Sequence, residues 1–211
     1  VPDGYNACVF AYGQTGSGKT YTMFGDASNP GIASLALTML FEKKKNIENQ
    51  FHDTRVELHV GAIEIYHKGA LKDLLPEKNK PRRRVTVQAG GVVSGNNKIQ
   101  PNNLEDALQL LVTAQKHRNV KATLCNPKSS RSHLLITIDF VVKKSLNGVT
   151  ILVREGKLHI CDLAGNENPK KSGADEDKAL FEEAKNINSS LLSFGRVIRA
   201  LLEGTKPPYK E

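Results

Sequence analysis

Three glycines, a lysine and a threonine stand close together near the start of this 211-residue chain: Gly13, Gly16, Gly18, Lys19 and Thr20. Residues without a Cβ reach backbone conformations closed to others, so a glycine-spaced loop can turn successive N–H groups inward onto phosphate oxygens. Lys19 then neutralises the outer phosphates, and the Thr20 hydroxyl is placed to ligate Mg²⁺. Gly13 to Thr20 fits the phosphate-loop pattern G-x-x-x-x-G-K-[ST], which makes this stretch a nucleotide site. Far downstream, Asp162-Leu-Ala-Gly165 supplies a carboxylate that can hold a Mg²⁺ water and a glycine N–H that can sense a γ-phosphate. Between them, Asn126-Pro-Lys-Ser-Ser-Arg-Ser-His133 puts serines and an arginine at the mouth of a strand. Asp-x-x-Gly alone could be a turn and Ser-Ser-Arg-Ser a surface loop. Their order after a phosphate loop, each at a strand edge, carries the reading.

Elements must hold these groups in place. The apolar run Ala7–Ala11 reads as a buried strand feeding the loop, followed by a short helix that ends at Gly25 to Pro30. Ile32, Leu35, Ala36, Met39 and Leu40 recur at helical spacing and predict an amphipathic helix against a sheet, with the stretch Glu42 to Asp53 polar. Val56, Leu58 and Val60 alternate as a strand, and Ile63 and Ile65 continue in the other phase, which predicts a bulge near Ala62. Leu71, Leu74 and Leu75 form a short apolar turn, and Val85 to Val87 with Val92-Val93 predict a small hairpin across Gly90-Gly91. Asn103 caps a helix running to about Asn119, with Leu104, Leu108 and Leu111 on its inner stripe. Ile136, Ile138, Phe140 and Val142 alternate along a strand that turns at Asn147-Gly148 into Val149 to Val153, and Leu158 to Asp162 is a further strand. A last helix carries Ile187, Leu191, Phe194, Ile198 and Leu201 on one side and Lys185, Ser189, Arg196, Arg199 and Glu203 on the other. The expected fold is α/β: a mixed, mainly parallel sheet flanked by helices, of the phosphate-loop nucleoside-triphosphatase type.

Composition bounds the alternatives. A chain of this length suits one α/β domain. No apolar run approaches a membrane span and no secretory succession opens the chain, which predicts a cytoplasmic protein. Cys8, Cys125 and Cys161 show no C-x-x-C pair, so buried free thiols are expected, and the six histidines show no metal spacing. The net charge of +8 points to an acidic partner surface or to a solvated basic face. Its densest part is Pro76 to Gln100, where Lys78, Lys80, Arg82, Arg83, Arg84 and Lys98 face only Glu77. We expect these residues either to attract an acidic partner surface or to be merely solvated.

At this point the chain resembles the kinesin motor domain. Tyr5 to Met23 looks like that family's phosphate-loop region, including Ala11-Tyr-Gly-Gln-Thr15. Asn126 to His133 matches its switch I pattern N-x-x-S-S-R-S-H, and Asp162 to Glu167 matches its switch II pattern D-L-A-G-S-E except at Asn166. Glu64-Ile-Tyr66, Asp73-Leu-Leu75, Asn186 to Leu192 and Pro208-Tyr209 fall in the family's order. The resemblance implies that Gly13, Gln14, Thr15, Gly16, Ser17, Gly18, Lys19 and Thr20, with Tyr21 beside them, bind ATP. It implies that Thr20 and Ser130 ligate Mg²⁺, with Asp162 acting through water. It counts Ser129, Ser130, Arg131, Gly165 and Glu167 as catalytic: Arg131 pairs with Glu167 when the switches close, lining up the attacking water, and Gly165 bonds the γ-phosphate.

The activity implied is a motor ATPase that couples ATP hydrolysis to microtubule binding and movement. The partner is the microtubule, with neither nucleic acid nor membrane, and the setting the cytoplasmic cytoskeleton. The segment after Glu167 and the helix from about Lys185 would touch the filament and relay nucleotide state. Asn168, Ser189 and the pair His67-Lys68 depart from the family's usual residues, and residues from Asp162 onward carry eight Lys/Arg against nine Asp/Glu. Residues 1–211 are expected to be a partial motor domain without its first strand, terminal helices and neck, the parts that set oligomeric state. The strand Ala7–Ala11 would then present an apolar, unpaired edge and the isolated segment would be poorly soluble. A non-motor or inactive microtubule-binding module, and another phosphate-loop nucleoside triphosphatase, are the alternatives.

Overall fold

In a computed structural model of the chain, residues 1–26, 28–66, 69–76, 84–88, 92–119, 131–166 and 178–208 are described, with the backbone alone at 119 and 178–186. Strand β1 spans Ala7–Ala11, helix α1 Lys19–Phe24, α2 Ile32–Gln50, strand β2 Thr54–Tyr66 and β3 Ala70–Asp73. A ribbon of β4, Thr86–Val87, and β5, Val93–Ser94, precedes α3 at Leu104–Asn119. Then come β6 at His133–Leu146, β7 at Val149–Asp162 and α4 at Lys178–Leu202.

The main sheet has the order β1-β7-β6-β2-β3. It is mixed and flanked by helices, as expected, but among the described residues only β1 and β7 pair in parallel; β7 with β6, β6 with β2 and β2 with β3 are antiparallel. For β6 and β7 the reason is local. Asn147 and Gly148 both take positive φ, 49° and 79°, which closes a two-residue hairpin and forces β7 back along β6.

The core lies on one face of this sheet. Val56, Leu58 and Val60 of β2 and Ile136, Ile138, Phe140 and Val142 of β6 are buried against Leu37 and Leu40 of α2 and Ala107, Leu111 and Ala114 of α3. Side chains at every second position share a face, so these alternations put each strand's apolar set on the helix side. Burying one such side chain is worth about 1.5–3 kcal/mol. Asn103 caps α3 as expected, its Oδ1 accepting the Asp106 N–H at 2.8 Å.

Several elements differ from the expectations. The buried side of α2 is Ala33, Leu37, Leu40 and Ile47, while Leu35 and Met39 are exposed. This helix is apolar on more than one side, and packing against β2 and α3 selects which side is covered. It also continues through the polar stretch to Gln50, where Ile47 is buried and Lys44 pairs with Glu48 one turn on. That pair serves the sheet as well, because Glu48 accepts the Val56 N–H at 2.8 Å while Lys44 donates to the Val56 carbonyl. No bulge interrupts β2, whose register with β6 runs unbroken from Thr54 to Ile65. Ile63 is buried in the second phase because Gly61, Ala62, Ile63 and Glu64 are covered on both faces. The irregularity lies instead between Val142 and Lys143, opposite Val153 of β7. Leu71 belongs to β3, paired with Ile65, rather than to a turn. On α4, Leu191 is buried and Leu201 is exposed.

Helices α1 and α2 are joined by a tight turn. The Asp26 N–H donates to the Asn29 carbonyl at 2.9 Å, and Asp26 Oδ1 accepts the N–H groups of Ser28 and Asn29. Gly25 and Pro30 form a bridge across it.

Strand β1 is not buried. It is an edge strand paired with β7 alone among the described residues, and Ala7, Cys8 and Phe10 are exposed. Phe10 packs edge-on against Phe194 of α4, ring centroids 5.0 Å apart. Cys8 and Cys161 are free thiols 4.0 Å apart across the β1–β7 pair, and only Cys161 is half-buried; Cys125 lies outside the described residues. The hydrogen bond from Cys161 holds the Cys8 thiol down to about 7 against a smaller opposing effect of burial. The same bond and burial push Cys161 up. Iodoacetamide should therefore alkylate Cys8 with a rate midpoint near pH 7, and Cys161→Ala should move that midpoint up toward an ordinary thiol's. Mass spectrometry of the labelled peptides measures both.

Candidate nucleotide site

The site is built where β1 and β7 end side by side. Ala11 pairs with Asp162, so the loop leaving β1 and the loop leaving β7 start at the same level. They are then stitched together: the Leu163 N–H donates to the Ala11 carbonyl at 3.3 Å and the Asn166 N–H to the Gly13 carbonyl at 3.4 Å. Gly13, Gly16 and Gly18 all have positive φ, at 157°, 80° and 85°, as an inward-turning loop requires. Among the described residues other than each glycine's chain neighbours, no atom lies within 4 Å of where a Cβ would stand on Gly16 or Gly18. Gln14, Thr15, Gly16, Ser17, Gly18 and Tyr21 are exposed around this opening, while Gly13, Lys19 and Thr20 are half-buried. Lys19 Nζ donates to the carbonyls of Gly13 and Gln14, each at 2.8 Å. Its charge is thus held across the mouth of the loop.

Thr20 Oγ1 donates to Asp162 Oδ2 at 2.7 Å, joining the phosphate loop to the end of β7 across 142 residues of sequence. Asp162 is fully buried, and its other oxygen, Oδ1, has no hydrogen-bond partner among the described residues. A buried carboxylate oxygen without a partner is costly, and beside a hydroxyl it is the donor set a hydrated hard cation needs. The residues present therefore fit Mg²⁺ and a triphosphate.

Arg118, which sequence reasoning missed, completes the centre. Only 2% exposed, it reaches Asp162 Oδ2 with Nη1, while its Nη2 donates to the Ser132 carbonyl at 2.6 Å and its Nε to the Ser132 hydroxyl at 3.3 Å. A signal was available: Arg118 follows Ala114 by four residues and Leu111 by seven, so it lies on the buried stripe of α3, where an arginine demands a buried partner. His133, the next miss, is 9% exposed and accepts the Ala164 N–H on Nδ1 at 3.1 Å. Burial, with a smaller push from the Arg118 charge, lowers its pKa from 6.5 to about 4.

Of the remaining expected residues, Gly165 is buried beside the phosphate loop and Arg131 is half-buried one residue before Ser132. Ser129, Ser130 and Glu167 lie outside the described residues, as do Lys78, Lys80, Arg82 and Arg83; Arg84 is exposed.

The His133 shift makes stability pH-dependent. Above pH 6.5 the ring is neutral in folded and unfolded chains alike. Between pH 6.5 and 4 only the unfolded chain takes up the proton, so stability falls with acidification. The loss should reach about 3 kcal/mol by pH 4. Urea denaturation of wild type and His133→Asn across this range should show the difference in slope.

The family model described as the Kinesin motor domain matches residues 1–211. This chain belongs to the kinesin motor domain family. It is 40% identical over 210 residues to the human kinesin-like protein KIF13B, covering 95% of this chain and 11% of that protein. It is 37% identical over 205 residues to kinesin-like protein klp-3 of Caenorhabditis elegans, covering 97% of this chain and 33% of the relative. Among solved structures it superimposes with a TM-score of 0.80 and 32% identity on a KIF14 dimer in a two-heads-bound state, with AMP-PNP and in complex with a microtubule. A KIF14 structure with ADP, also in complex with a microtubule, gives the same TM-score at 31% identity. This kinesin-family chain covers 60% of each of those structures, so it spans part of the length of every relative named. Among the described residues, no helix is long and apolar enough to cross a membrane.

Proposed function

We propose that this kinesin-family chain is the nucleotide-hydrolysing core of a microtubule motor, working in the cytoplasmic cytoskeleton, with residues 1–211 forming part of one motor domain. The observation that carries the reading is the bond from Thr20 of the phosphate loop to Asp162 at the end of β7. It brings a phosphate-binding loop and a buried carboxylate into one centre, which phosphoryl transfer to water needs.

The loop N–H groups from Gly13 to Thr20, with Tyr21 beside them, would bind ATP, and Lys19 would exchange its two loop carbonyls for outer phosphate oxygens. Thr20 and Ser130 would hold Mg²⁺, with Asp162 acting through water. The bound metal nucleotide supplies the transferable phosphoryl group and neutralises charge on its oxygens. Gly165 would present its N–H to the γ-phosphate. Arg131, with Ser129 and Ser130 before it and Glu167 as its partner, would orient the attacking water. Exposed Arg196 and Arg199 on α4 would face the acidic filament.

Steady-state ATPase assays of the whole protein with and without microtubules test this reading. Microtubule-stimulated turnover is expected, and Arg131→Ala should lower kcat about 100-fold with nucleotide affinity within threefold, since an interaction made mainly in the transition state is lost. Turnover indifferent to microtubules would overturn the motor reading.

A further inference from the structure

Cys8 and Cys161 stand on one face of the β1–β7 pair but two residues out of register, because Cys8 is opposite His159 and Cys161 is opposite Phe10. Their sulfurs are nonetheless 4.0 Å apart. Neighbouring strands lie about 4.8 Å apart and two residues rise about 6.6 Å along a strand, so the two Cα atoms are separated by about 8 Å. A disulfide closes only when the Cα atoms are within about 7 Å. The sulfurs therefore approach one another but cannot bond unless β1 slides along β7, which the pairing of every residue from Ala7 to Ala11 opposes. What fits between them is an ion. At a metal–sulfur distance of about 2.3 Å, sulfurs with this separation subtend an angle of about 120° at the metal, and small χ1 rotations open it toward a straight line. Thiolates select soft ions, Cu(I) and zinc foremost. A closed zinc site takes four ligands, and among the described residues no three His, Cys, Asp or Glu side chains are grouped to hold a metal. His159, across from Cys8, is turned to Thr137, whose hydroxyl lies 3.1 Å from Nδ1. Cu(I), soft and singly charged, is held by two thiolates alone.

From this geometry we propose that Cys8 and Cys161 form a two-thiolate site for Cu(I), bridging β1 and β7 just before both strands enter the loops of the nucleotide centre. Cys8 is exposed among the described residues and gives the ion a way in. The charges also match. Above pH 7 the Cys8 sulfur is a thiolate that accepts the remaining proton of the pair from Cys161. Cu(I) takes that proton's place: the Cys161 S–H bond breaks, two Cu–S bonds form, and one proton leaves to solvent. The pair carries one negative charge before and after, so the exchange buries no new charge. Neither sulfur is among the groups that would touch nucleotide, so this site stands or falls apart from the nucleotide reading.

Titration of the whole protein with Cu(I), reduced and under argon, against the chromogenic chelator bathocuproine disulfonate tests the site. Wild type should retain one more Cu(I) per chain than Cys8→Ser, and X-ray absorption of protein loaded with one equivalent should show sulfur neighbours only. Cys8→Ser and Cys161→Ser should each weaken retention of that ion at least 100-fold, whereas Cys125→Ser should leave it within twofold. Cys8→Ala, at an exposed strand position, repeats the loss without adding a hydroxyl, and circular dichroism checks that each variant is folded. Zinc(II) offered in the same way should show no difference between wild type and Cys8→Ala. Copper retained equally by wild type and Cys8→Ala overturns the proposal. Undiminished retention by folded Cys161→Ser does so too, since it would reduce the site to a single thiol, and nitrogen neighbours at the copper would place the ion elsewhere and overturn it as well.

Discussion

Lys19→Ala should abolish nucleotide binding at working concentrations. The lysine carries the only side-chain cation within the phosphate loop, and it is held at the loop mouth by two hydrogen bonds of 2.8 Å. Contacts of an ammonium with phosphate oxygens are charge-assisted and worth about 1.5–3 kcal/mol each. Losing two of them weakens binding by about 100-fold or more, at 1.4 kcal/mol per factor of ten. The fold should survive, because Lys19 is half-buried at a loop edge and its present acceptors are carbonyls of an exposed turn. Titration with a fluorescent ATP analogue measures the loss, and circular dichroism checks that the mutant is folded. Affinity unchanged within threefold would remove Gly13 to Thr20 from the nucleotide site.

Arg118→Ala should instead cost stability. Asp162 and Arg118 form an ion pair that is 0% and 2% exposed, and the guanidinium also satisfies both oxygens of Ser132. Removing one partner of a buried pair strands the other charge in a medium that solvates it poorly, at about 3–5 kcal/mol. A chain of this size has only about 5–15 kcal/mol to lose, so the mutant should unfold at a much lower urea concentration. Asp162→Asn removes the stranded carboxylate, so Arg118→Met combined with it should be less destabilised than Arg118→Ala alone. A double-mutant cycle measures that coupling, and purely additive losses would show that the two side chains do not act as a pair.

The parts of this molecule legible in the sequence are those whose cause is local. The phosphate loop announces itself because its glycines, lysine and threonine are consecutive. The alternation of Ile136, Ile138, Phe140 and Val142 gives away the face of β6 that is buried. The Asn147-Gly148 turn follows from two residues able to take positive φ. What could not be read depends on partners distant in sequence. Strand β7 is continuous through Arg154, Glu155 and Lys157 because β6 pairs with it there, although these polar residues suggest a break between two apolar runs. The covered side of α2 is selected by β2 and α3, since Leu35 and Met39 are as apolar as Leu37 and Leu40. Arg118 and Asp162 are 44 residues apart, and nothing local to either names the other.

The turn between α1 and α2 determines which changes the chain can accept there. A Cβ on Gly25 would lie 2.0 Å from the Asn29 carbonyl oxygen, and one on Gly31 would lie 2.4 Å from the Phe24 carbonyl carbon. Both obstacles are backbone, so no rotamer change relieves them, and any side chain at either glycine must pry the two helices apart. Added residues between Asp26 and Pro30 would open the turn and remove both obstacles, at a loop-closure cost that rises by only about 0.6 kcal/mol per doubling of length. Natural variation at this corner should therefore take the form of insertions rather than substitutions: the two glycines persist wherever the turn stays this short and are released where it lengthens.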